Sequence, residues 1–426
     1  MEIGIVPSRD PRQGGVFQYG VLVLRALAQQ PFARQAHRLS LIGPAAALRN
    51  VAQHTLPAWQ RVGLYPVFSS RRAAGIMRAL AGEAATGKLA NWVRRQEAGG
   101  ARDGLVTQPG VGHMYRQHGV KFIFWTYSNG LAFECGVPFI AAVHDLQHRI
   151  QPDFMITQSR ADWESREFLF RNLARVATLL VADSEIGRED ILDAYGDLLR
   201  PEQVKVLPFV PPPHLSIANP EQQIAACRAR WRLPARYVFY PAQFWPHKNH
   251  ETIIRAMALL GERGDDLGVV FAGSWRGDYR RPTYRKVMEL AISLGVAERV
   301  SVLGFVPDTL VGGLYLGARA LVIPTLLGPT TIPVLEAWML GCPVATSDIR
   351  GVREQAGAAA LLVNPYSPEE LADAMARVTT DNALRARLVS AGYQRLAAWT
   401  ERDFAGRLAS ILEEGYALAG VAEGRG

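Results

Sequence analysis

The segment PFVPPPH, residues 208–214, constrains this chain more than any other stretch. Its four prolines cannot lie inside a helix or a central strand, because each removes a backbone donor that those elements use. It therefore reads as a joint. On either side, short apolar runs alternate with helical patterns. Before the joint, strands are expected at Ile3–Val6, Leu39–Ile42, Gly104–Thr107, Phe122–Trp125, Phe139–Val143, Leu179–Ala182 and Val204–Leu207. Helices are expected there at Phe17–Ala28 and Glu164–Ala177. After the joint, Gln222–Arg232 reads as an entry helix. Strands follow at Tyr237–Tyr240, Gly268–Ala272, Val300–Leu303, Ala320–Ile323, Pro343–Thr346 and Ala360–Val363. Helices are expected at Glu251–Leu260, Thr283–Leu294, Asp308–Ala318, Pro333–Leu340 and Pro368–Val378, and an amphipathic one at Thr400–Leu418. Val-, Ile- and Leu-rich strands alternating with helices argue parallel sheets covered on both faces. The expectation is an α/β protein of two parallel-sheet domains facing a cleft. Residues 1–207 form the first, 208–235 a linker and entry helix, and 236–398 the second; 399–426 hold a helix packing back toward the first. Ligands of such folds gather at the carboxyl ends of the strands.

Composition narrows the function classes. At 426 residues the chain is too long for one ordinary core, and 49% hydrophobic against 20% charged residues argues against disorder. Cys135, Cys227 and Cys342 form no CxxC pair, which fits a reducing compartment. No apolar run reaches membrane-spanning length, and MEIGIVPSRD has no signal-peptide pattern, so a cytoplasmic location is expected. The net charge of +8 suits nucleic acid, an anionic membrane surface or a phosphorylated small molecule. The basic residues are scattered, without a basic tail or an aromatic-interleaved strand face, so no nucleic-acid partner is expected. Residues 69–96, SSRRAAGIMRALAGEAATGKLANWVRRQ, concentrate Arg71, Arg72, Arg78, Lys88, Arg94 and Arg95 beside helically spaced apolar residues. An ordinary surface helix explains this segment. The sharper reading is a peripheral contact with the inner face of the membrane.

Several motifs carry chemistry. In GPTTIPVLEAWMLGCPVATSDIRGVREQAG, residues 328–357, Gly328, Pro329, Thr330, Thr331 and Ile332 form a loop that feeds a helix starting near Pro333. Free amides and the positive end of a helix dipole suit a phosphate there. Glu336 falls one turn inside the helix, within an apolar pattern. It either points to solvent or has a partner, such as ribose hydroxyls. In YVFYPAQFWPHKNHETIIRAM, residues 237–257, Lys248 lies at a strand-to-helix turn and suits a diphosphate; Gln243 can donate but carries no charge. In AAVHDLQHRIQPDF, residues 141–154, His144 and Asp145 follow a buried strand and so sit at its carboxyl end. An H-D-x-x-H zinc pair would need both histidines on one helix face, which the preceding strand disfavours, so no metal site is expected. His148 and Arg149 support the loop or meet an acceptor. Gly14 and Gly15 let backbone approach a ligand after the first strand. Gly110-Val111-Gly112 lacks the third glycine of a dinucleotide fingerprint and reads as a loop near the cleft. Ser184 reads as a helix cap.

Together these motifs resemble retaining, two-domain glycosyltransferases of family four, of the GT-B type with two Rossmann-like domains, and among them mannosyltransferase-like members. The order strand, loop, P-x-L-E-A, G-x-P-V carries the resemblance, with the G-R-x-x-x-x-K segment and the glycine loop of the first strand. It implies that Glu336 holds the ribose, that Lys248 and Gln243 meet the diphosphate, and that the turn Gly304–Phe305–Val306 meets the base. It places His144 beside the donor sugar with Asp145 close by, and Gly14–Gly15 along phosphate and acceptor. The chain departs from the family twice. Gly328 stands where the first glutamate of E-x7-E belongs, and Gln243 stands where arginine belongs. The resemblance gives the Gly328 position's work to Thr330, Thr331 and the loop amides. It implies a nucleotide sugar as donor, GDP-mannose first and UDP-hexoses next, a glycan or lipid-linked acceptor, and no cofactor or metal, in keeping with the absence of D-x-D. The alternatives are a nucleotide-sugar epimerase and a catalytically weak nucleotide-sugar-binding subunit.

Overall fold

The computed structural model describes residues 1–8, 14–28, 38–43, 48, 51, 59–63, 105–152, 160–212, 215, 218–261 and 266–423. The segment 69–96 lies outside the described residues. Two separate sheets are present, each with every described strand pair parallel. The first runs β3-β2-β1-β4-β5-β6-β7, from β1 (Glu2–Val6), β2 (Arg38–Gly43), β3 (Gln60–Gly63), β4 (Phe122–Trp125), β5 (Phe139–Val143), β6 (Leu179–Ala182) and β7 (Val204–Val206). The second runs β10-β9-β8-β11-β12-β13, from β8 (Arg236–Pro241), β9 (Leu267–Ala272), β10 (Val300–Val302), β11 (Ala320–Ile323), β12 (Val344–Ser347) and β13 (Leu361–Val363). Strand order reverses between β1 and β4 in the first sheet and between β8 and β11 in the second. Those two switch points open crevices at the strand carboxyl ends.

Alternation along each strand explains why both faces are covered. Ile3, Ile5, Phe122, Phe124 and Ile140 face one apolar cluster, while Val6, Ile123, Trp125, Phe139 and Ala141 face another. A strand apolar on both sides is stable only between two helical layers. In the second domain, Val238, Phe239, Val269, Val270, Leu321 and Val322 are fully buried in one continuous core.

The helices used below are α1 (Gly15–Ala28), α2 (Pro109–Gln117), α3 (Leu131–Glu134), α4 (Gln147–Ile150), α5 (Arg160–Val176), α6 (Glu185–Tyr195), α7 (Pro220–Arg230), α8 (His250–Leu260), α9 (Arg280–Ser293), α10 (Asp308–Gly317), α11 (Ile332–Met339), α12 (Arg350–Ala356), α13 (Pro368–Thr380), α14 (Asn382–Ala398) and α15 (Glu401–Glu423). Two expectations are corrected. Leu105–Thr107 is not a strand; the sheet edge is β3, whose Gln60 pairs with Ser40. Gly110 and Gly112 are not in a loop but in α2, which Pro109 starts. A Cβ on Gly112 would lie 1.9 Å from the Cys135 carbonyl oxygen, so that glycine serves close packing against the end of α3.

The C-terminal helix α15 lies on the first domain. Phe404, Leu408, Ile411 and Leu412 are buried in the cluster that holds Leu24, Phe122 and Ile140. A Cβ on Gly415 would sit 2.8 Å from Ile140 Cδ1, so the helix backbone presses on β5. Trp399 Nε1 donates to the Pro208 carbonyl at 3.0 Å and Lys205 pairs with Glu414 at 2.6 Å, fastening the helix across the joint. Leu408→Ala should therefore cost about 2–5 kcal/mol, as buried leucines do, read in chemical denaturation. A change under about 0.5 kcal/mol, the mark of a surface position, would contradict this packing.

Candidate active site

The second-domain crevice is built by the turn between β8 and α8. Pro246–Lys248 is a single 3-10 turn, and Asn249 closes it in the left-handed region at φ 55°. The turn is tied to the end of β11. The His247 carbonyl accepts from Leu326 N–H at 2.8 Å. Asn249 Nδ2 donates to the carbonyls of Pro324 at 2.9 Å and Pro365 at 2.7 Å, and Tyr240 Oη donates to the Lys248 carbonyl at 2.8 Å. Lys248 is thereby fixed beside the strand that runs into Gly328–Ile332. Among the described residues no carboxylate pairs with its ammonium. Burial pulls its pKa down to about 8, opposed by the charge of Asp145 from the first domain.

The Gly328–Ile332 loop is stiffened from behind. Gln355 on α12 accepts from Thr331 N–H at 2.8 Å and donates to the Thr331 carbonyl at 3.1 Å. A Cβ on Gly351 would lie 2.4 Å from Pro329, so the loop rests on that glycine. Gly328 has φ 129°, which side-chain-bearing residues rarely adopt. The Thr331 amide and side chain are thus occupied or buried, and Thr330 with the Gly328–Pro329 backbone remains at the surface of the loop. On α11, Glu336 is 9% exposed and accepts a 2.5 Å hydrogen bond from Tyr315 on α10. Burial raises its pKa to about 7, against the Tyr315 hydrogen bond. Gly304 adopts φ 70° and accepts from Gly273 N–H at 2.7 Å; beyond it Phe305 is 65% exposed and Val306 is buried.

Gln243 does not stand alone. Its Oε1 accepts from Arg280 at 2.6 Å and from Trp245 at 3.1 Å.

The first domain supplies the opposite wall. His144, at the end of β5, places Nδ1 3.0 Å from Asp183 Oδ2 at the end of β6 and Nε2 3.0 Å from the Thr126 carbonyl at the end of β4. The ring is packed edge-on by Tyr19 and stacked near Phe209. Burial pulls the His144 pKa down, but Asp183 and the Thr126 carbonyl outweigh it and hold the ring above its ordinary value. Burial also lifts Asp183, opposed by His144. We read the pair as imidazolium and carboxylate, because the ionised pair gains the stronger hydrogen bond. Neither ring nitrogen is then left to accept a proton; His144 ties three strand ends together and supplies positive charge. Asp145 accepts from Gln147 N–H at 3.0 Å, closing a local turn ahead of α4, and from Arg166 at 3.0 Å. His148 and Arg149 are drawn away onto Glu167, Arg149 through both nitrogens.

The domains touch at this crevice. Gln151 donates to the Leu326 carbonyl at 3.0 Å, and a Cβ on Gly15 would lie 3.3 Å from Ile332. Beside it, Glu354 accepts from the amides of Glu185 and Ile186 at the start of α6, and Arg350 pairs with Glu189 and with Asp190. Gly15 and the 328–332 loop thus meet at the interface, and the charge of Asp145, the residue after His144, reaches Lys248 across it. Among the described residues, no three His, Cys, Asp or Glu side chains converge to hold a metal ion.

Residues 228–395 match the family of Glycosyl transferases group 1. The alpha-D-kanosaminyltransferase of Streptomyces kanamyceticus is 27% identical over 287 residues, 66% of this chain and 71% of its own length. The D-inositol 3-phosphate glycosyltransferase of Corynebacterium glutamicum is 24% identical over 294 residues, covering 67% and 68%. Anabaena Alr3699/HepE, solved in complex with UDP and glucose, superposes with a TM-score of 0.67 over 97% of this chain and 99% of that one, at 18% identity. The fold is of the GT-B type.

Sequence reasoning missed Tyr315, Asp183 and Arg280. Tyr315 sits in an apolar helix, DTLVGGLYLG, where nothing marks it as a carboxylate's partner. Asp183 directly precedes the Ser184 cap and is masked by it, although an acidic residue at the end of the strand next to that of His144 is a usable signal.

The His144–Asp183 pair gives a pH test. A histidine whose folded pKa is raised above its unfolded value, about 6.5, contributes stability that is complete below that value and is lost as pH rises through the folded one. The melting-temperature gap between wild type and Asp183→Asn should be widest in mild acid and narrow with rising pH. A gap that stays constant or widens would contradict the imidazolium assignment.

Proposed function

We propose that this crevice transfers a hexose from a nucleotide diphosphate sugar to a glycan or lipid-linked acceptor, with retention at the anomeric carbon and without a metal ion. The observation that carries the reading is Lys248: a cation without a carboxylate partner among the described residues, pinned beside a loop that runs into a helix N-terminus, with Glu336 one turn further. A diphosphate would satisfy the ammonium and the helix end together. Glu336, buried with its Tyr315 partner, suits a ribose, whose hydroxyls donate to a carboxylate. The exposed Phe305 ring offers a base a flat apolar cover. The match to group 1 glycosyl transferases and the nucleotide-bound fold neighbour support the same assignment.

In the proposed step, the bond from the anomeric carbon to the diphosphate oxygen breaks, and the acceptor oxygen bonds that carbon on the same face. The acceptor proton passes to the leaving phosphate oxygen. Negative charge grows on the diphosphate, where Lys248, the Ile332 backbone N–H and the positive end of the α11 dipole stabilise it. His144, its ring nitrogens held by Asp183 and the Thr126 carbonyl, acts on the sugar from the other domain through its charge and not through a free N–H.

Donor choice is set by a panel: GDP-mannose and UDP-hexoses, followed by nucleoside diphosphate release and by the anomeric configuration of the product. Lys248→Ala should weaken UDP or GDP binding about tenfold or more, since a charge-assisted contact contributes about 1.5–3 kcal/mol. It should lower transfer further, because charge grows in the transition state. Glu336→Gln should mainly weaken nucleoside affinity. Equal diphosphate affinity for wild type and Lys248→Ala in calorimetry would overturn the proposal, and an inverted product would overturn retention.

A further inference from the structure

Gln243 leaves the loop between β8 and α8 short of charge, yet a cation reaches it from a different strand. We propose that Arg280 is the second cation of the diphosphate subsite, presented to it by Gln243. The inference rests on the donor-site reading above.

Arg280 opens α9, just past the carboxyl end of β9, which neighbours β8 in the sheet. Its Nη1 donates to Gln243 Oε1 at 2.6 Å, and its guanidinium lies 5.1 Å from the Trp245 ring centroid. Trp245 Nε1 donates to the same Gln243 oxygen, so indole and amide hold the arginine together. The backbone is shaped for this. Gly273 has φ 150°, and a Cβ there would lie 2.3 Å from the Ala242 carbonyl oxygen, so the chain leaving β9 lies directly on Ala242–Gln243. Gly277 has φ 107°, and a Cβ there would sit 3.2 Å from Arg280 Nη2. That glycine clears space beside the guanidinium.

What holds Arg280 is neutral. Its described partners are an amide oxygen and an indole face, and among the described residues no carboxylate pairs with it. Lys286, further along the same helix, is neutralised differently, by Glu251. A guanidinium oriented by neutral groups keeps its charge and has further N–H donors for an anion. Gln243, Trp245 and Lys248 belong to one loop, so Arg280 and Lys248 are the two cations attached to it. A planar fork and a point charge suit the two phosphoryl groups of a diphosphate. Gln243 is then a positioning residue, whose oxygen aims Arg280.

The test titrates UDP, GDP, inorganic pyrophosphate, uridine and guanosine into wild type, Arg280→Gln, Arg280→Lys, Lys248→Ala and the double variant Gln243→Arg/Arg280→Gln. Arg280→Gln should weaken the diphosphates and pyrophosphate about tenfold or more and leave the nucleosides unchanged. Arg280→Lys should keep part of the affinity, and the double variant should recover it by restoring a cation at the loop. If Lys248→Ala loses diphosphate affinity while Arg280→Gln binds like wild type, Arg280 is only a strut and this inference falls, with the donor site intact. Equal losses for nucleosides and diphosphates in Arg280→Gln and Arg280→Lys overturn it as well. If neither Lys248→Ala nor Arg280→Gln weakens diphosphates, the donor-site reading falls too.

Discussion

The arrangement of the crevice depends on the His247 carbonyl. It accepts from Leu326 N–H at 2.8 Å, and so locks the turn after β8 to the exit of β11. These strands are neighbours at the point where the sheet order reverses, and their outgoing chains would otherwise diverge. Asn249 reinforces the lock by adopting a left-handed conformation and donating to carbonyls after β11 and β13. Lys248 lies between those two anchors. Its position is therefore set by backbone hydrogen bonds and not by an acidic partner, which leaves the charge available to a ligand.

The first domain completes the crevice by reaching across it. Gln151 bonds the carbonyl of Leu326, the residue whose N–H makes the lock, and the charge of Asp145 is felt at Lys248. Elsewhere along the interface, Glu354 satisfies the first amides of α6, which Ser184 alone leaves short of partners. The same helix that carries Glu354 carries Gln355, the residue that braces Thr331. Helix α12 thus couples interdomain contact to the shape of the loop after β11.

Much of this was legible in the sequence, for physical reasons that differ by element. Strands such as Phe122–Trp125 and Phe139–Val143 are apolar on both faces, and only a covered parallel sheet accommodates that. Lys248 could be placed at a strand-end turn, whereas for Glu336 the apolar pattern around it left solvent and a buried partner equally open. Helix α2 was not legible: its glycines looked like a loop, and the Cys135 carbonyl pressing on Gly112 explains that one, whereas a Cβ on Gly110 would meet nothing within 4 Å. Arg280 was hidden for the same kind of reason. Its link to Gln243 spans 37 positions and depends on β9 lying next to β8, which local patterning does not report. Gln243 by itself read as a lost charge, whereas in the fold it is a bracket for one.

We propose that the crevice binds a nucleoside diphosphate through a lysine whose proton is loosely held until the anion arrives. Lys248, with its pKa pulled down to about 8 by burial, is partly neutral near that pH and should become fully charged against a diphosphate. The direct measurement is calorimetric titration of UDP and of GDP at pH 8, in two buffers of different ionisation enthalpy. At least one of them should bind saturably at one site with net proton uptake, and that uptake should be lost in Lys248→Ala. Absence of binding by both nucleotides, or binding with the same proton uptake in the variant, would contradict it.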